Sequence, residues 1–392
     1  MIKYILLFFL SAASILILSS CNDNPTAVGL NLLQKDRLNL KQLDSYSDSL
    51  KQVSSYYSYS VPLGSANSIM IGKNGNVQAA TLINFYGSVA DTMGQDIASG
   101  AASVIYSEVI LVKTNVYGDS NATLDFSVHN VLNNWDPTTI DGSNVSSLSY
   151  DQSDISSNKT ITDSLVSFQV SNSVTAQWLE HIADTTQASN NGIYITPSSN
   201  SQKVVSFQNI SSGSTGETQL MVVVQKSNVY LDTLYFYPLT YTSIVTGSLP
   251  TLPAGEIVVQ GGLVVNSKLW FDISALPKNS VINNATLIFT EDTVASIKSQ
   301  TPINALTLFN LTDSSAVAYD STNPIVLNLS GNTYSGNIAS FVQSWVDKGT
   351  NQGILIQLYD QIDALDLYAL KGSNAADRSL RPRLIITYTT RN

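Results

Sequence analysis

The side chains able to do chemistry are few and unevenly placed. Trp135, Tyr235, Tyr237 and Tyr241 each join an apolar ring to a hydrogen-bonding group. Rings of this kind stack on the C–H face of a sugar while nearby Asn, Gln and Asp side chains bond its hydroxyls. Tyrosine is abundant at 19 residues, and a second cluster stands at Tyr56, Tyr57 and Tyr59. Asp360, Asp363 and Asp366 lie close together and could lend oxygens to a structural Ca2+, as could Asp136 with Asp141; this cation takes ~6 to 8 oxygen ligands. No other cofactor is required. Nucleophilic catalysis has little to draw on, because the only histidines are His129 and His181 and the only cysteine is Cys21. Both histidines lack any motif and read as surface or boundary residues. The chain has no Gly-x-Ser-x-Gly elbow, His-Glu-x-x-His helix, P-loop or EF-hand loop. Glycoside hydrolysis needs only two carboxylates across a cleft. The five glutamates (Glu108, Glu180, Glu217, Glu256 and Glu291) do not form such pairs at matching places along the chain. The expectation is a binding protein with no catalytic residues.

Composition narrows the partners. Nineteen basic against 29 acidic residues give a net charge of −10 over 392 residues, which repels phosphate backbones and argues against nucleic acid. Only 12% of residues are charged while 43% are apolar. Long charged helices and coiled coils are therefore unexpected, and Ser, Thr, Asn and Gln must supply much of the wetted surface.

At the front end, Lys3 precedes an apolar run from Ile5 to Leu18 that closes on Leu18-Ser19-Ser20-Cys21. The run fits the ~7 to 15 residues of a signal segment and falls short of the ~17 to 25 of a membrane-spanning helix. Leu-Ser-Ser-Cys resembles the lipobox of bacterial lipoproteins. That resemblance implies cleavage before Cys21, a lipidated Cys21 as membrane anchor, and, with Asn22 rather than Asp after it, retention at the outer membrane; which side of the membrane it faces stays open. Residues 1–20 are thus expected to be a signal peptide. Residues 21–59, rich in Ser, Asp, Asn, Lys and Gln, are expected to be a tether. Gly29-Leu30-Asn31-Leu32-Leu33 is similar to the start of a family of uncharacterised bacterial surface lipoproteins.

Beyond the tether, strand-like runs dominate: 107–112, 123–128, 166–170, 192–196, 220–224, 285–290, 325–329, 353–358 and 384–388. They are rich in β-branched and aromatic residues, and Ser, Asn, Gly and Pro clusters punctuate them. An all-β sandwich architecture follows. The two halves also repeat one another in order. Ser103–Val112 aligns with Ser280–Phe289, Leu124–Val131 with Asn304–Leu311, and Trp178 with Trp345. Asn191-Gly192-Ile193 aligns with Gln352-Gly353-Ile354, and Gln219–Val224 with Arg383–Tyr388. The expected modules are 60–226 and 232–392, with Asp232–Pro250 as a junction or first strand. In the second module Ile338, Phe341, Val342 and Trp345 share a helical face, with Ser335 or Asn337 as cap and Gly349 as stop. The two aligned tryptophans are expected to plug their own sandwiches.

The second repeat carries a family resemblance in Leu269-Trp270-Phe271-Asp272-Ile273-Ser274-Ala275-Leu276-Pro277, Ala285-Thr286-Leu287, Val342-Gln343-Ser344-Trp345, Asn351-Gln352-Gly353-Ile354 and Arg381-Pro382-Arg383-Leu384. It resembles the DNRLRE-domain family of secreted carbohydrate-binding-module-like β-sandwiches. That resemblance implies two tandem jelly-roll-like antiparallel β-sandwiches, each with one short helix, of a kind found beside glycan-active modules. The expectation is a non-catalytic outer-membrane or cell-surface lipoprotein that recognises extracellular polysaccharide. One alternative is an accessory subunit of an envelope or appendage assembly that binds an envelope protein. The other is a polysaccharide-degrading enzyme.

Overall fold

The computed structural model describes residues 40–186, 189–208 and 218–390. The signal peptide, Cys21 and the first part of the expected tether lie outside the described residues. In chain order the strands are β1 (Lys41–Asp44), β2 (Gln52–Ser58), β3 (Ser68–Asn74), β4 (Val77–Tyr86), β5 (Ser103–Tyr117), β6 (Phe126–Asn130), β7 (Ser156–Ile161), β8 (Leu165–Val170), β9 (Ile193–Pro197), β10 (Val204–Gln208), β11 (Gln219–Lys226) and β12 (Tyr230–Gly247). There follow β13 (Glu256–Gln260), β14 (Val265–Phe271), β15 (Ser280–Thr290), β16 (Ala305–Asp313), β17 (Ala318–Ser330), β18 (Thr333–Asn337), β19 (Ile354–Leu358), β20 (Leu367–Lys371) and β21 (Arg383–Thr390). Three helices interrupt them: α1 (Asp91–Ala98), α2 (Asn172–Ala183) and α3 (Ala339–Lys348).

These strands form two antiparallel sheets, each curled over its own apolar core in a sandwich-like way. The first runs β10-β3-β4-β12-β11-β5-β8-β7, with β9 on β4 and β6 on β9; β10 also bonds β5, which closes a ring of six strands. The second runs β1-β21-β15-β18-β17-β16-β19-β14-β13-β20, with β2 on β14. Alternation explains the curl: Val109, Leu111, Leu220 and Val222 point into the first core, and Leu287, Phe289, Leu384 and Ile386 into the second.

Trp178 and Trp345 are buried in these two cores at 4% and 3% exposure, so each plugs its own sheet as its helical stripe predicts. Of the two caps offered by the sequence for helix α3, Ser335 is excluded, because Ser335–Asn337 pairs in β18. Asn337 Oδ1 accepts from Ala339 N at its start and Gly349 ends it at φ 64°. The first sheet carries two helices rather than one. Gly94 of α1 packs where a Cβ would stand 2.2 Å from Ala183 Cβ, so a residue that weakens the helical pattern is what lets α1 and α2 touch.

Three expectations are corrected. Residues 40–59 are not tether: Lys41–Asp44 pairs with β21 and Gln52–Ser58 with β14, so both belong to the second sheet. Residues 232–250 are not a junction, since β12 pairs with β11 and β4 of the first sheet. In the repeat alignment, Val109 opposite Leu220 matches Leu287 opposite Leu384, one position away from the Ser103–Val112 alignment. Each ladder carries a bulge at the same place, between Val223 and Val224 in one and between Ile282 and Asn284 in the other, so the offset holds along both. The alignment of Leu124–Val131 with Asn304–Leu311 agrees with the ladders, Val128 facing Ile195 and Leu308 facing Ile356.

The two sheets meet across a small apolar cluster in which Leu63, Met70, Tyr117 and Val245 of one side pack with Leu365 and Leu263 of the other. Polar contacts ring it. Asn115 Nδ2 donates to Ser299 Oγ at 3.0 Å, Gln300 N to Val116 O at 2.9 Å, and Ser68 N to Asp363 Oδ1 at 3.0 Å.

Candidate functional site

Strand β14 positions the most developed surface of the molecule. Its alternate residues Leu269 and Phe271 enter the core, and Ser267 Oγ donates to Val258 O at 2.7 Å. Asn266, Lys268 and Trp270 therefore share the opposite face. The ladder with β2 sets Tyr57, Ser55 and Val53 directly beside those three. Across β14, Lys268 faces Leu355, and Leu355 faces Phe309. The result is a row of rings and polar groups. Tyr57 and Tyr59 stack at 5.8 Å and 16°, Phe309 and Tyr319 meet at 4.8 Å and 50°, and Lys268 Nζ lies 5.7 Å from the Tyr57 ring centre.

Each group is held. Trp270 Nε1 donates to Asn351 O at 3.1 Å, Lys268 Nζ to Ser314 O at 3.1 Å, and Asn266 Nδ2 to Tyr59 Oη at 3.2 Å. Among the described residues Lys268 forms no ion pair. The buried Asn266 Oδ1 has no partner among the described residues. Burial raises the Tyr57 and Tyr59 hydroxyls above the ordinary phenol value, and Asn266 opposes that rise. On one side of the indole lies a hollow of about 430 Å³ lined by Val53, Ser55, Lys268, Trp270, Ser314 and Gln352. On the other lies one of about 380 Å³ lined by Ile273, Pro277, Trp345, Thr350 and Asn351.

The turn under Trp270 is built the same way in both repeats. Asn351 Oδ1 accepts from Gly353 N at 2.9 Å, and Asn190 Oδ1 accepts from Gly192 N at 3.0 Å. Gly353 and Gly192 have φ of +92° and +83°, and a Cβ on them would lie 2.6 Å from Leu269 O and 2.1 Å from Ile83 O. Gly353→Ala is therefore expected to destabilise the second sheet by about 2 kcal/mol or more, through positive φ and the clash with β14. Urea melts of the single variant check this. In the first repeat Trp135 Nε1 donates to Asn191 O at 2.9 Å, so an indole from a different element reaches the equivalent turn.

The four aromatic residues singled out in the sequence do not form one site. Tyr235 is 48% exposed on the outer face of β12, and Tyr237 is half-buried opposite Tyr86, which is 65% exposed. The bulge between Pro238 and Thr240 reverses the alternation, so Tyr241 faces Ile83 and packs against the first core. Trp135 is half-buried beside a separate hollow of about 380 Å³ with Asn133, Asp136, Thr139 and Asn144.

Asp360, Asp363 and Asp366 do not converge as a ligand set. Asp363 accepts from Asn67 and Ser68 of the first sheet, and buried Asp366 accepts from Ser299 N and Oγ. Asp136 and Asp141 accept from their own loop, Thr138 and Ser143. Among the described residues no group of three or more His, Cys, Asp or Glu could hold a metal ion. Asp360 is pushed up to about 6, first by burial and then by the charge of Asp363. An acid raised on folding holds its proton more tightly in the folded chain, so stability falls as pH climbs from 3.8 through about 6. Asp360→Asn is expected to raise the melting temperature at neutral pH and to leave it unchanged below pH 3.8. Melting curves of both proteins against pH read this out.

One carboxylate pair has opposed shifts. Burial raises Glu256, while hydrogen bonds from Glu256 and Lys371 lower Asp292. Lys371 Nζ ties both, at 2.7 and 2.6 Å, and none of the hollows described here opens onto them. His129 is buried rather than at a boundary, held by Ser127 Oγ at 2.8 Å and Asp151 O at 2.9 Å.

No family model and no curated protein matches this chain.

Proposed function

We propose that this chain is a non-catalytic, lipid-anchored outer-membrane or cell-surface protein whose two curled sheets are tandem jelly-roll-like modules, and that it binds extracellular glycan on the outer face of the second. The row of Trp270 and Lys268, flanked by Tyr57 and Tyr59 on one side and by Phe309 and Tyr319 on the other, carries this reading, with the buried Asn266 holding Tyr59 from beneath. It offers ring faces to sugar C–H groups, and donors and acceptors to the hydroxyls between them. A glycan array probed with residues 22–392 tests it. Retention of a defined polysaccharide is expected, with its loss in Tyr57→Ala; an array without signal, or release of reducing ends, contradicts the reading. Leu-Ser-Ser-Cys supports the anchor. Radiolabelled palmitate should enter the intact chain but not Cys21→Ser, and labelling of neither removes the membrane from the proposal.

A second reading, an accessory subunit of an envelope assembly, draws on the first sheet. There Tyr86, Leu231, Tyr235 and Leu239 are exposed on or beside β12. Crosslinking from a photoreactive group at Tyr235 to an envelope protein would favour it.

A further inference from the structure

The first sheet is closed by β12, whose first half lies along β11 and second half along β4. In the second sheet β1 along β21 and β2 along β14 hold the same two places. The registers correspond. Tyr241 stands opposite Ile83 and Ser54 opposite Leu269, while Ile83 and Leu269 themselves face Ile193 and Ile354. Leu234 faces Val222 as Leu43 faces Ile386. Strand β12 follows β11 through a tight turn at Lys226–Tyr230, with Val229 N donating to Lys226 O. The closing pair of the second sheet arrives instead from the far end of the chain. In order of elements, the two units form a ring cut between β21 and β1.

We propose that residues 41–58 are a cis-acting clasp that closes the second sheet and carries one wall of its ligand face. The inference rests on the glycan reading only for what that face binds. Tyr57, Ser55 and Val53 belong to the clasp, and Lys268, Trp270, Phe309 and Tyr319 to the body. Specific contacts lock it. Arg383 holds Asp44 with two nitrogens, Leu384 N donates to Ser45 Oγ at 2.8 Å, and Arg378 reaches Tyr46 O and Ser49 Oγ. Ser54 exchanges bonds with Ser373, and Leu43 and Leu50 pack on the second core. The linker that follows is pinned as well: Leu63 and Ala66 are buried, and Asp363 accepts from Asn67 and Ser68. Those anchors favour the chain's own clasp over that of a second copy.

The test uses the whole chain with one protease site inserted after Ser60, cut after folding. The released segment is expected to stay bound through gel filtration and to leave in mild urea. On its departure, amides of β14 and β21 should exchange at least about tenfold faster, while those of β4 and β11 are unchanged. Unaltered protection of β14 and β21, or equal loss in both sheets, overturns the clasp. The cut chain stripped of its segment should also lose whatever array signal the intact chain gives, and a signal that survives stripping overturns the shared wall. An intact chain silent on the array, together with the expected exchange pattern, overturns the glycan reading and supports the clasp.

Discussion

Trp270→Ala is expected to weaken glycan binding by about thirtyfold, from about 2 kcal/mol of lost contact. The indole divides two hollows, and its N–H is held by Asn351 O, so the ring meets a ligand already oriented. Removing it takes away the ring that lines both hollows. The fold should survive, since Trp270 is half-buried and its strand neighbours Leu269 and Phe271 fill the core. Affinity electrophoresis in a gel containing the bound polysaccharide measures the loss, and circular dichroism confirms the fold. Trp270→Phe should recover part of the binding, because it keeps a ring but loses the anchor to Asn351.

Trp345→Ala is expected to cost about 4 kcal/mol, the largest stability effect of a single substitution in the second sheet. The side chain is 3% exposed, and its Nε1 donates to Asn310 Oδ1 at 2.7 Å. Truncation therefore opens a cavity and leaves a buried amide oxygen unpaired. Trp345→Phe separates the two effects, and about half the loss should remain. The first repeat offers an internal comparison. Asn130 occupies the place of Asn310 beside the equivalent Trp178, yet Asn130 Oδ1 has no partner among the described residues. Trp178→Phe should therefore cost less than Trp345→Phe in denaturant melts that follow each sheet by hydrogen exchange.

How much of this was legible in the sequence depends on whether the deciding contact is local. Eight of the nine strand-like runs lie in strands to within one residue and the ninth, 123–128, overlaps β6 only over 126–128, because β-branched alternation is a short-range signal. Helix α3 and its Gly349 stop were readable from spacing alone. The clasp was not: β1 has four residues and one buried apolar side chain, Leu43, and its partner is at the opposite end of the chain, Lys41 facing Tyr388. Its Ser, Gln and Lys content reads as a linker until β21 is present. Tyr241 was misplaced for a similar reason, since one bulge after Pro238 inverts every later side chain of β12. His129 was misread because a histidine can be buried once both ring nitrogens are bonded, and those partners come from its own strand and from a loop about twenty residues on. Of the face itself, the Tyr56-Tyr57-Tyr59 cluster was visible, but Trp270 stood out only as part of a family resemblance and Lys268 not at all. No local pattern joins them to Tyr57.

Hydroxyl-radical footprinting of the intact chain, with and without the polysaccharide retained on the array, tests the central claim most directly. The account predicts that Tyr57, Tyr59, Trp270 and Tyr319 become protected together while Tyr86, Tyr235 and Trp135 keep their reactivity. Protection confined to Tyr86 and Tyr235, or to the hollow beside Trp135, would contradict it.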